Sequence, residues 1–281
     1  MKRLKENMLK EKEEGRKKGK LKIKKGKEMK EMTVLQKTGL AYYDAHHPHH
    51  NRPLWKNFLK LVRKKKPDVF VFGGDNMNFD AIDHWMKEKK RERKMEGKRI
   101  LAEYTEFKKD MLDPLEKALP KDCRKIWLNG NHEDWVELAI DKERGGEGYW
   151  EIENNLHLKE RGWEVYKYGE YAKVGKVYFI HGQYTNQAHA KKTVNVYEKN
   201  VVYGHVHSPQ TYAKITPVEN EPHTGMSLPC GCEMNPDFMR NRPHSWVNGF
   251  LVFYFTKKIF SLFPVISIFD GKFIAPSGKR Y

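Results

Sequence analysis

The chain has 281 residues, and its 54 Lys and Arg outnumber 37 Asp and Glu to give a net charge of +17 at pH 7. Residues 1–38 hold +9 of that excess and the remaining 243 residues +8, so the charge is concentrated at the N-terminus. A 12% aromatic content excludes a wholly disordered chain, because the body has enough apolar surface to offset its ordering entropy.

Residues 1–31 are rich in Lys, Glu and Gly, with apolar residues too sparse to form a helical face. Such a tail is either a solvated, flexible segment or a nucleic-acid-binding arm, and composition leaves both open. No apolar run of roughly 7–15 residues follows the basic start, so no secretory signal is expected. From residue 33 the composition changes. Gly39 to Tyr43 reads as a buried strand, and Pro53 to Lys66 as a helix with Leu54, Phe58, Leu61 and Val62 on one face and basic residues on the other. Asp68 to Phe72 is a second short strand, and strand–helix–strand alternation indicates an α/β layered fold.

Residues 81–119 are strongly charged and read as mostly helical, broken near Gly97 and Pro114, with a dense basic run from Lys87 to Arg99. Strands are expected at Ile126–Leu128, Glu164–Tyr166, Val174–Ile180 and Val201–Tyr203. A meander follows from Ser245, with a hairpin turn at Asp270-Gly271. Its most apolar stretch, Phe250 to Phe269, is interrupted by Lys257, Lys258 and Pro264, so it reads as two strands and not as a membrane span. The three cysteines, Cys123, Cys230 and Cys232, have no disulfide-framework spacing, and a reducing, cytoplasmic setting is expected. Cys230-Gly-Cys232 reads as a structural turn, with no Cys/His pair at zinc-ribbon spacing beside it. The organisation expected is a basic, flexible tail over 1–38 and one α/β domain over 39–281.

The strands of the first two-thirds of that domain end in metal-capable side chains. Asp44 and His46 follow the first, Asp75 the second, Asn131 the third, His181 the fourth, and His205 and His207 the fifth. Strand carboxyl ends in one sheet converge on a single crevice. The oxygen and imidazole donors suit Mn, Fe, Zn or Ni better than a thiolate-seeking metal. Seven donors are too many for one tetrahedral ion but fit two ions sharing a carboxylate, the arrangement that clamps attacking and leaving oxygens in phosphoryl transfer. A lone histidine at a strand end is ordinarily structural. Five short motifs in order, each after an apolar strand, are not a chance occurrence.

The ordered set DAH, GGD, GNHE, IHG and GHVH resembles the calcineurin-like metallophosphoesterase superfamily over about residues 39–210. DAHHPHH, GGDNMNFD, SLPCGCEMNP and WVNGFLVFYF are most similar to its small bacterial and phage-borne members. The resemblance implies a four-layer αββα sandwich of two mixed sheets flanked by helices. It also implies two divalent metal ions, Mn²⁺ first, with Fe, Zn or Ni as alternatives. Asp44, His46 and His207 would hold one ion and Asn131, His181 and His205 the other, with Asp75 bridging, and a metal-bridging hydroxide would be the nucleophile. His132 would serve as general acid or as a donor to the transition-state phosphate. Many members place an acid three residues after the bridging Asp to support that histidine, and here Asn78 stands there, with Asp80 two further on. The arginines of the serine/threonine protein phosphatases are replaced by Phe79 and Asn129. His49 and His189 lie near the motifs and, with Asn78, are candidates for substrate contact.

The basic tail and the run 87–99 point to a polyanion, DNA or RNA, through long-range attraction and counterion release. The function expected is a two-metal phosphodiesterase or nuclease acting on nucleic acid or nucleotides, with no membrane partner. A phosphomonoesterase on small molecules or phosphoproteins is the alternative, and a non-catalytic nucleic-acid-binding scaffold is a second.

Overall fold

Period-two alternation with both faces buried shapes the first sheet. Leu40 and Tyr42 point to one side and Ala41 and Tyr43 to the other, all fully buried, as expected for a central strand in a largely parallel sheet. The computed structural model describes residues 36–82, 99–215, 218, 221–236, 239 and 241–281. The basic tail up to residue 35, the basic run 87–99 except Arg99, and the break expected near Gly97 lie outside the described residues.

In chain order the elements are β1 (Lys37–Tyr42), α1 (Arg52–Lys65), β2 (Val69–Phe72), α2 (Ile100–Phe107), a π-helical turn (Lys108–Leu112), α3 (Asp113–Ala118), β3 (Arg124–Leu128), α4 (Asn131–Lys142), α5 (Ile152–Leu156) and β4 (Trp163–Tyr166). They continue through β5 (Ala172–Val174), β6 (Val177–Phe179), α6 (His189–Tyr197), β7 (Asn200–Tyr203), β8 (Gln210–Lys214), β9 (His223–Ser227), β10 (Gly249–Phe255) and β11 (Phe260–Ile266). The first sheet has the order β11-β10-β1-β2-β3-β4, parallel from β1 to β4 and antiparallel through β10 and β11. The second has the order β5-β6-β7-β9-β8 and is also mixed.

One core lies between the first sheet and its helices, where Phe70, Phe72, Trp127 and Phe250 meet Leu54, Phe58, Phe107 and Leu112. A second lies between the sheets, with Val71, Ile126, Leu251 and Phe253 against Val174, Phe179, Val202 and Met226. The helix α6 packs on β7, β8 and β9. The result is the four-layer αββα sandwich, and full burial of each of these large side chains contributes about 1.5–3 kcal/mol. No helix among the described residues is long and apolar enough to cross a membrane.

Three local expectations are revised. The break near Pro114 is a widened turn, because proline has no N–H and its ring would clash with the carbonyl of Asp110. That carbonyl accepts a hydrogen bond from the Trp55 indole instead, at 3.1 Å. Val174 to Ile180 is not one strand but the tight β5–β6 hairpin, turning at Gly175 with φ +59°. The strands β8 and β9 were not expected, since QTYAK and HTGMS carry little apolar patterning. The turn at Asp270-Gly271 is present, with positive φ at both residues and Phe269 bridged to Lys272.

Gly39 sits directly opposite Phe253 in the register of β1 and β10, and the Phe253 ring lies where a Cβ on Gly39 would be, 2.0 Å from its Cζ. Gly39→Ala should therefore overpack the inter-sheet core and destabilise the domain by about 1–3 kcal/mol. Thermal unfolding checks this; an unchanged Tm would show that the ring moves aside freely.

Candidate metal centre

The seven candidate donors come from the loops that follow β1, β2, β3, β6 and β7. Backbone hydrogen bonds lace these loops together: Asp44 N–H donates to Gly74 O (3.1 Å), His46 N–H to Asp75 O (2.8 Å) and Gly204 N–H to His181 O (2.8 Å). Five of the seven donors, Asp44, His46, Asp75, His205 and His207, have positive φ between 47° and 68°. Left-handed backbone costs a residue with a side chain about 1–3 kcal/mol, and such strain clusters where surrounding structure has a use for it. The glycines permit close approach: a Cβ on Gly130 would lie 2.1 Å from Asp75 Oδ1, and one on Gly204 2.3 Å from Asp44 Oδ2.

Four overlapping donor groups result among the described residues: His207, Cys230 and Cys232; Asp44, His46 and His207; His46, Asp75 and His132; and Asp75, His181 and His205. Asp75 joins the last two. Its Oδ2 lies 3.3 Å from His181 Nε2, 3.7 Å from His46 Nε2 and 3.9 Å from His132 Nε2. Asn131 Oδ1 adds an oxygen 3.1 Å from His181 Nε2. Asp44 lies 3.6 Å from His207 Nε2 and accepts the His205 N–H on both oxygens at 3.0 Å.

Hydrogen bonds on the far side of the rings set the tautomers. His46 Nδ1 faces Asn78 Oδ1 (3.0 Å), His181 Nδ1 faces Gly73 O (3.0 Å) and His132 Nδ1 faces Asn78 O (2.8 Å). Each partner is an acceptor, so each Nδ1–H donates and the neutral ring turns its Nε2 lone pair inward. His46 Nε2 lies 3.1 Å from His207 Nε2, close enough for the two nitrogens to share one proton. Burial works to lower the pKa of both His181 and His207, yet Asp75 beside the first and Asp44 beside the second outweigh it, and both rise to about 9. Burial, then neighbouring His181, pushes His205 down to about 4. The cluster thus attracts positive charge to inward-facing nitrogens. Divalent cations meet that demand by displacing the protons. The donor set therefore fits a dinuclear centre.

The family comparison agrees with this geometry. Residues 44–241, most of the chain, match the family described as calcineurin-like phosphoesterase. The chain belongs to the calcineurin-like phosphoesterases. It is therefore a metallophosphoesterase and a hydrolase with buried His/Asp metal-ligand groups. No curated protein sequence matches it. Solved structures similar to it include Vps29 from Cryptosporidium parvum, at 12% identity and TM-score 0.43 over 88% of this chain and 95% of the other. A conserved predicted phosphoesterase from Streptococcus pneumoniae has 11% identity and TM-score 0.37 over 88% and 94%. The nuclease MPE from Pseudomonas putida has 11% identity and TM-score 0.35 over 80% and 87%.

Within this calcineurin-like site the substrate-contact candidates fall differently. The Asn78 amide is buried and committed at both ends, its oxygen to His46 Nδ1 and its nitrogen to Asp80, so it supports the centre from behind. His49 is partly exposed and rests its Nε2 on both Asp80 oxygens at 3.1 Å. His189 belongs to none of the donor groups; it is buried, with Nδ1 2.7 Å from the Tyr203 hydroxyl. The Cys230-Gly-Cys232 turn does have a histidine beside it in space: His207 Nδ1 lies 3.7 Å from Cys232 Sγ, and the two sulfurs are 3.4 Å apart.

The residue missed in the sequence is Glu133. It is fully buried, and its carboxylate accepts four backbone N–H bonds: Gly130 (2.7 Å) and Asp75 (2.8 Å) on Oε2, Asn76 (2.8 Å) and Met77 (3.2 Å) on Oε1. Burial, then the Asp75 charge, pushes its pKa up to about 7, but only the ionised form accepts from donors on both oxygens. A glutamate at the third position of a helix opening on Gly130 was the available signal, half of a capping box without its side-chain partner. Glu133→Gln turns an amide donor toward donors and should cost about 1–3 kcal/mol for each N–H left unpaired. Denaturant unfolding and metal analysis check this, and a variant with unaltered stability and metal content would remove Glu133 from the centre's support.

Proposed function

We propose that the chain is a two-metal phosphodiesterase acting on nucleic acid or nucleotides. Asp44, His46 and His207 would hold one ion, Asn131, His181 and His205 the other, and Asp75 would be shared. The supporting observation is Asp75, whose one carboxylate oxygen faces imidazole nitrogens belonging to both groups. The cations would supply an activated water as nucleophile and neutralise charge on the phosphate. The donors are oxygen and imidazole nitrogen, with Cys232 reaching only the outer nitrogen of His207, and this favours Mn²⁺ with Fe, Zn or Ni as other fits.

His132 is positioned to move a proton. Its backbone N–H donates to Asp75 Oδ1 (2.9 Å), and its Nδ1–H is held by the Asn78 carbonyl, so its Nε2 is turned toward the centre, 3.9 Å from Asp75 Oδ2. The Trp135 ring, 3.8 Å from the imidazole centroid, restrains the imidazole from the side. A backbone carbonyl thus orients His132 where many relatives use a carboxylate. A protonated Nε2 at this place can donate to a phosphate oxygen or to the leaving group. The nucleic-acid part of the proposal is supported by the net charge of +17, and Phe79 and Asn129 in place of arginines count against phosphoproteins.

Metal-stripped protein reloaded with Mn²⁺ should hydrolyse a generic aryl phosphodiester and labelled DNA in preference to an aryl phosphomonoester. Activity on the monoester alone would replace the nuclease reading with a phosphomonoesterase. DNA binding without hydrolysis under any of the four metals would indicate a scaffold. His132→Ala should lower turnover by about 10²–10⁴-fold with metal content retained. Loss of metal in that variant would make His132 a ligand.

A further inference from the structure

We propose that the groove between α1 and the π-helical turn binds the sugar–phosphate backbone of a single-stranded nucleic acid. The groove has a volume of about 520 Å³ and is lined by Arg52, Lys56, Lys60, Arg63 and Lys109, with Trp55 and Leu59 on its apolar wall. All five cations are exposed, and among the described residues none of them has a carboxylate within 4.0 Å. Asp110 is the one acid on the lining, and its Oδ2 lies 3.4 Å from His47 Nε2. Helix α1 contains no acidic residue at all.

That charge pattern is unfavourable for the free protein. Arg52, Lys56 and Lys60 repeat at i,i+4, where like charges repel and an alternating Glu would have stabilised the helix. Burial of Leu54, Phe58, Leu61 and Val62 holds α1 in place despite the repulsion, so its outer face is available for a polyanion. His50, only 3% exposed, lines the same groove beside these cations. The loop Asp44 to Asn51 connects the groove directly to the metal centre, since Asn51 caps α1 and His46 belongs to two of the donor groups.

Size and shape identify the ligand. Arg52 and Arg63 are eleven residues apart, about 16 Å along the helix axis, longer than one nucleotide needs. The cations line a concavity, which follows one strand, whereas duplex DNA takes a helix projecting into its groove. This inference rests on the phosphodiesterase reading for its purpose but not for the binding it predicts.

The test uses the full chain carrying Lys56→Glu, Lys60→Glu and Arg63→Glu together. Binding of fluorescent 20-nucleotide single-stranded DNA and RNA would be followed by anisotropy from 50 to 300 mM salt. Affinity should fall at least tenfold, and the log–log salt slope should shrink by about 2, for three lost contacts at about 0.7 each. A control reverses Lys173 on β5, Lys176 in the β5–β6 turn and Lys199 just before β7, which line a second groove, for the same change in net charge. Equal losses in both triples, or no loss in the first, would overturn the assignment. Tighter binding of the wild-type chain to a duplex of the same length would overturn the single-strand part. Hydrolysis of the small aryl diester, run alongside, reports on the metal centre separately, so an inactive centre and an inert groove give different results.

Discussion

The buried carboxylate of Glu133 fixes the geometry on which the centre depends. Its four N–H partners come from two loops, residues 75–77 after β2 and Gly130 after β3. Parallel pairing of β2 with β3 brings those loops side by side but does not set their separation to a fraction of an ångström. A charge in the interior is tolerable only when its lone pairs are satisfied, and here the satisfying donors are the backbone of the loops themselves. Asp75 follows as a consequence: with its N–H bound to Glu133 and its Oδ1 accepting from His132 N–H, its Oδ2 is left to face three imidazoles.

The same logic extends outward. Left-handed backbone at five donors is a cost, met by packing elsewhere. The two sheets supply it, through a dry inter-sheet core and an aromatic core under α1 to α3. Strain therefore sits at the strand ends, where the loops are tied down, and relaxed packing sits below. This is the distribution expected of a site built to bind charge and not to stabilise the fold.

The sequence was most legible where one residue type serves one purpose. Buried parallel strands read as apolar runs, the ligand motifs followed them in order, and the Asp-Gly turn declared itself by its positive φ requirement. It was least legible where tertiary context decides. β8 and β9 carry no pattern because their pairing with each other and with β7, not their side chains, makes them strands. The π-helical turn answers a clash at Pro114 that sequence shows only as a break. Glu133 and Asn78 acquire their roles from loops far away in the chain, and the Cys230–Cys232 turn meets His207 only after β7 and β9 pair in parallel. His189, which sequence allowed as a pocket or a helix-face residue, lies on α6 with its imidazole against the Tyr203 hydroxyl.

Charge is divided between functions. The donor groups of the centre combine the carboxylates of Asp44 and Asp75 with imidazoles, so they attract cations. The positive charge lies elsewhere: on α1, around the β5–β6 turn, and in sequence stretches outside the described residues. A phosphodiester brought near such a protein experiences attraction from the surface and, without bound cations, repulsion from Asp44 and Asp75. Surface charge alone would thus deliver a polyanion to the edge of the centre and no further. Bound cations would complete the gradient, so that capture of a phosphate ester at the centre would depend on metal loading while adhesion to the surface would not.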